Sequence, residues 1–74
     1  MDRQVNGPAI AAIRKLSGIT QAGLAQRSGI SPSHMNKIEH GVEQPKFETA
    51  VRIARELGVT TDTIAPVTAV PAAS

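Results

Sequence analysis

Residues 21–40 read QAGLAQRSGISPSHMNKIEH, and the local chemistry of this stretch decides the fold. Thr20, just before it, can cap a helix, because its hydroxyl can accept from a free backbone N–H of the first turn. Leu24, Ala25 and Ser28 then share one helical face. Gly29 follows where a helix commonly ends in a left-handed residue, a conformation that glycine adopts without steric penalty. Ser31 is a second N-cap, and Pro32 takes the first helical position, where its missing N–H is no loss. Met35 and Ile38 form the inner face of this second helix, and Gly41 ends it.

The turn between Gly29 and Ser31 is too short for antiparallel packing. The two helices are therefore expected to cross steeply, as in a helix-turn-helix. A steep crossing needs a small residue where the backbones approach, and Ala25 stands there. Leu24, Met35 and Ile38 fill the angle. Ser33, His34, Asn36 and Lys37 are left facing outward. A row of short polar and basic side chains on an exposed helix is the kind of surface that reads base edges in a major groove.

The chain resembles the Cro/C1-type helix-turn-helix family, the lambdoid phage repressor or XRE type. The matching words are Gly18-Ile19-Thr20-Gln21, Leu24-Ala25, Gly29-Ile30-Ser31, Met35, Ile38-Glu39, Gly41, Pro45, Ile53-Ala54 and Leu57-Gly58-Val59. They extend over about residues 8–65. Each word is common; their joint order and spacing are specific. The resemblance implies an all-α, five-helix, lambda-repressor-like domain with the helix-turn-helix at its second and third helices.

The flanking sequence agrees. Residues 1–7 read as an N-terminal arm and residues 8–65 as the domain. Pro8 can open the first helix, with Ile10, Ile13 and Leu16 on its inner side and Gly18 at its end. The second helix covers about residues 21–28 and the third about 32–40, followed by a loop over 42–46. The fourth covers about 47–57, with Phe47, Ala50, Val51, Ala54 and Leu57 at helical spacing and Gly58 as its stop. Thr60 can cap a short fifth helix holding Ile64, which Pro66 ends. No strand signal is present. Three starts share one layout: Ile19-Thr20 with Leu24, Ile30-Ser31 with Met35, and Val59-Thr60 with Ile64. Each places apolar residues on both sides of a cap, the hydrophobic staple. Residues 66–74 are small, uncharged and proline-bearing, and are expected to be a disordered tail or the start of a linker.

Seventy-four residues make one small domain with a modest core. The chain has no cysteine, hence no disulfide and no thiolate metal site. No apolar run approaches the roughly 18 residues of a membrane helix, and no apolar leader is evident. The expected location is the cytoplasm, with association to the nucleoid through DNA. Net charge is +2, from 8 Lys and Arg against 6 Asp and Glu. Arg27, Lys37 and Lys46 gather in or beside the outward row with His34 and His40 near them, while Glu48, Glu56 and Asp62 are expected on the far side. Such a distribution suits a phosphate-facing surface.

Enzymatic readings find no support. The carboxylates are scattered, no Ser, His and acid form a relay, and no Gly-rich phosphate loop is present. His34 and His40 lack the spacing of a two-histidine metal face, so no metal, cofactor or small-molecule ligand is expected. Phe47, the one aromatic residue, is expected in the core and not as a stacking platform.

For a DNA-binding surface the roles divide into positioning and reading. Gln21 opens the second helix, whose free N–H groups and positive dipole end attract a phosphate; the resemblance implies the same role. Ser31 is a cap that can also touch phosphate. Ser33, Asn36 and Lys37 are the candidates for base contacts: Lys37 can donate to guanine O6 and N7, and Asn36 can pair with adenine N6 and N7. Arg27 and His34 are read as backbone contacts, and the resemblance places Lys46 near the phosphates of the second strand. It also implies a structural ion pair between Arg14 of the first helix and Glu39. This chain departs from the family pattern at Gly23, which removes a capping-box partner and costs about 1 kcal/mol against Ala. It departs also at Pro32, where a polar reader often sits, and in the weakly basic loop Val42-Glu43-Gln44.

The expected function is sequence-specific regulation of transcription, as a repressor of phage-immunity or prophage type on a double-stranded operator. A homodimer on DNA is compatible with this, although no long apolar stripe is left over for an interface. The alternative is an antitoxin-like or adaptor module on the same fold, which would dock a protein partner through its fifth helix and tail.

Overall fold

The structure, a computed structural model, describes residues 2–68. Side-chain caps start the first three helices. Helix α1 (Gly7–Leu16) begins after Asn6, whose Oδ1 accepts from the Ala9 N–H at 3.1 Å. Helix α2 (Gln21–Ser28) begins after Thr20, whose Oγ1 accepts from the Gly23 N–H at 2.9 Å. Helix α3 (Pro32–Glu39) begins after Ser31, whose Oγ accepts from the His34 N–H at 3.1 Å. Helix α4 (Phe47–Leu57) follows Lys46, which gives no side-chain cap. Helix α5 (Thr61–Ile64) follows Thr60, whose hydroxyl meets that of Thr63 at 3.0 Å instead of the backbone. The turn that sets the α2–α3 crossing rests on Gly29, at φ +76°. A side chain there would be strained by the backbone angle and pressed against the Arg52 guanidinium.

Ile10, Leu24, Met35, Ile38, Ile53 and Ile64 are the largest fully buried side chains. Burying one such residue contributes about 1.5–3 kcal/mol. Ala25 is fully buried too, the small residue that the crossing requires. Ile19, Ile30 and Val59 pack against this core, each just before a helix whose Leu24, Met35 or Ile64 lies in it.

The apolar face of α4 runs through Ala50, Ile53, Ala54 and Leu57. Phe47 was expected in the core and is instead 57% exposed. It shares the stripe of Ala50 and Ala54, but it stands in the first turn, where the helix overhangs the core. Leu16, expected on the inner side of α1, is 89% exposed. Six positions after Ile10 it lies about 120° round the helix, at the α1 end beyond its neighbours.

Two short strands join the two ends of the described residues. β1 (Asp2–Arg3) pairs antiparallel with β2 (Val67–Thr68), Asp2 opposite Thr68 and Arg3 opposite Val67. Two residues are too few to show a period of two, so the sequence carried no strand signal. The fold remains all-α, with this ribbon closing it. The Asn6 N–H donates to the Ile64 carbonyl at 2.7 Å. Val5, in the expected arm, is buried, and Gly7 is already helical. Of the expected tail, residues 69–74 lie outside the described residues.

Gly7 marks the closest approach of two elements. A Cβ there would overlap the carbonyl oxygen of Ile38 and stand 2.8 Å from that of Glu39. The start of α1 thus rests directly on the end of α3.

Candidate nucleic-acid interface

Met35 and Ile38 hold the inner face of α3 in the core, which turns Ser33, Asn36 and Lys37 to solvent as an exposed row. His34 is half-buried beside them. Its Nε2 lies 3.2 Å from Glu43 Oε1 in the following loop. Ser31, Ser33, His34 and Lys37 form one wall of an open cleft, and Lys46 belongs to the other. Glu43 and Glu48 also line this cleft. Glu48 was expected on the far side, and the structure corrects that. Its place in the first turn of α4, two residues after Lys46, swings it back toward α3. The two lysines of the cleft therefore share it with two carboxylates.

The loop that carries Glu43 and Lys46 is tied down by Gln44. Its Oε1 accepts from the Val5 N–H at 2.8 Å, and its Nε2 donates to the Val5 carbonyl at 3.3 Å. One primary amide thus completes both backbone groups of Val5, as a neighbouring strand would.

A second set of hydrogen bonds runs beneath the row. Arg14 Nε donates to Glu39 Oε2 at 2.7 Å and its guanidinium donates also to Glu39 Oε1 at 3.2 Å. Arg14 further donates to the Ile19 carbonyl at 2.9 Å. Glu39 Oε1 accepts also from Gln21 Nε2 at 3.0 Å. The same nitrogen donates to Asn36 Oδ1 at 3.3 Å. Gln21 is thereby turned toward α3 and joined to one of the row's own residues.

Arg27 stands apart. It is exposed in the last turn of α2, at the opposite end from Gln21, and its carbonyl accepts from Arg52 of α4 at 3.3 Å. Beside it, the Ser28 hydroxyl is buried and has no hydrogen-bond partner among the described residues. Among the described residues no group of three His, Cys, Asp or Glu could hold a metal ion. No helix among them is long and apolar enough to cross a membrane.

Sequence reasoning missed the Gln44 clasp, the Glu43 contact and the link from Gln21 to Asn36. Asn6 was recoverable: Asn is a favoured cap, and Pro8 two residues later marks a first turn. The other three carried no signal, because each joins groups of different elements that are far apart in sequence.

Known proteins resemble this arrangement. A helix-turn-helix family model matches residues 10–64. The HTH-type transcriptional regulator YazB of Bacillus subtilis, itself uncharacterised, is 38% identical over 89% of this chain and 96% of its own. The crystal structure of the clp gene regulator ClgR from Corynebacterium glutamicum superposes with a TM-score of 0.74 at 28% identity. That match covers 77% of this chain but only 62% of ClgR, so the chain spans less than two thirds of that regulator. The P22 c2 repressor, crystallised with a synthetic operator, gives 0.76 at 26% identity, over 86% of this chain and 98% of that one.

Proposed function

Because the chain belongs to the helix-turn-helix family of transcriptional regulators, and not to a family of enzymes, we propose that it binds double-stranded operator DNA through α3 and represses transcription by occupying the site. The observation that carries the reading is the exposed row Ser33, Asn36 and Lys37, held outward by the burial of Met35 and Ile38. An α-helix so presented fits the width of a major groove.

The roles divide along the geometry. Ser33, Asn36 and Lys37 face base edges. Ser31, His34 and Lys46 border the row and meet phosphates, as do the free N–H groups at the start of α2 beside Gln21. Arg27 reaches the backbone farther along the duplex. Arg14 and Glu39 fix the angle of α3 against α1. The likeness to the P22 c2 repressor, crystallised in complex with a synthetic operator, supports a repressor of phage-immunity or prophage type as the finer assignment. DNA as the partner places the protein in the cytoplasm, on the nucleoid.

Selection of bound sites from random duplex DNA tests the reading. Enrichment of a defined motif is expected, with affinity that falls steeply as salt rises. A homodimer would return two inverted half-sites about one helical turn apart. Recovery of no motif, with binding indifferent to salt, would overturn the assignment.

A further inference from the structure

The hydrogen bonds beneath the row give Asn36 a polarity. Glu39 receives two donors from Arg14, and a carboxylate can only accept. The Gln21 side chain must therefore present its NH2 group, not its carbonyl, to Glu39 Oε1. That nitrogen carries a second hydrogen, directed at Asn36 at 3.3 Å. The atom of Asn36 that meets it must be Oδ1, since two NH2 groups cannot bond to each other. The carbonyl of Asn36 is thus turned toward the protein, and its Nδ2, with two hydrogens, is what α3 presents outward. The orientation of an exposed amide is ordinarily ambiguous; here it is inherited, through Gln21 and Glu39, from an arginine that has no acceptor at all.

Resting on the DNA reading above, we propose that Asn36 is a specificity-determining residue that selects guanine, and that Gln21 is the positioning residue that makes it do so. Guanine shows two acceptors in the major groove, O6 and N7, which match an outward NH2 group. The two-bond pairing of an asparagine with adenine needs the carbonyl to accept from adenine N6. In this chain that carbonyl faces Gln21, and the NH2 group takes the outward place. Adenine offers the outward NH2 only N7, and its N6 donor opposes it. Gln21 needs no contact with DNA for this role.

The test is site selection from random duplex DNA with the wild type, Asn36→Ala, Gln21→Ala and Asn36→Asp, each checked for its fold by circular dichroism. The position that loses its preference in Asn36→Ala is the one that Asn36 reads. Wild type should prefer guanine over adenine there by about tenfold. Gln21→Ala frees the amide to rotate and should admit adenine at that position alone, with the salt dependence unchanged. Asn36→Asp still accepts from Gln21 but offers no donor, so guanine preference should fall about tenfold even if Gln21→Ala fails to fold. Adenine at the Asn36 position in wild type, an unchanged profile in a folded Gln21→Ala, guanine retained by Asn36→Asp, or no position altered by Asn36→Ala would each overturn the proposal while leaving the DNA reading intact. A pool in which nothing enriches would overturn both.

Discussion

Arg14 and Glu39 meet through two hydrogen bonds, at 2.7 and 3.2 Å, with side chains only 11% and 4% exposed. The pair joins α1 to the last residue of α3, one turn beyond the exposed row. Removing one partner leaves the other charge in a site that water hardly reaches. Arg14→Ala should therefore destabilise the domain by about 3–5 kcal/mol, as single deletions in buried pairs do. The double change Arg14→Met with Glu39→Leu should recover much of that loss. Urea unfolding of wild type and the two variants checks it; Arg14→Ala as stable as wild type would show that the pair does not hold the helices.

Gly7 offers a sharper test of packing. Its Cβ would meet two backbone carbonyls, which cannot rotate away as a side chain would. Gly7→Ala should destabilise by about 3 kcal/mol, despite the better helix propensity of alanine. A melting temperature equal to wild type would mean that α1 does not rest on the end of α3.

Ser28 should respond in the opposite direction. Its hydroxyl is buried and unpartnered among the described residues. Ser28→Ala removes that polar group and adds a better helix former. A gain of about 1 kcal/mol is expected, seen as a rise in melting temperature. A fall would show that the hydroxyl finds a partner, such as a bound water.

Lys46 and Glu43 face one cleft with opposite charge. Lys46→Ala should weaken binding to specific and random DNA alike and make the log–log salt slope shallower by about one unit. Glu43→Gln releases His34 from its carboxylate and should strengthen both. Fluorescence anisotropy over a salt series measures each. If Lys46→Ala changes neither affinity nor slope, Lys46 lies outside the interface.

The helices and their crossing were legible because their causes are local. Thr20, Ser31, Gly29 and Gly58 act within a turn of themselves, and the stripe of Leu24, Met35 and Ile38 repeats at helical spacing. The outward row of the site follows by subtraction from that stripe. What escaped depends on where elements end. Phe47 and Leu16 have suitable spacing, yet each stands at a helix terminus where the face has run out of core. Glu48 lies in the cleft beside α3 because the loop before α4 turns back on α3, a path that no periodicity encodes. The polarity of Asn36 needs four residues from three helices, and pairing rules within one element cannot supply it.

The bond from the Asn6 N–H to the Ile64 carbonyl, 2.7 Å long, has a consequence for kinetics. Most contacts of this fold join segments that are neighbours in sequence and can form by short searches. This bond closes a loop around nearly the whole domain, so it must wait until the helices between are laid out. It is a latch that forms late. The amide hydrogen of Asn6 can exchange with solvent only when that latch opens. Its exchange rate is therefore a clock, one that counts how often the two ends of the domain part.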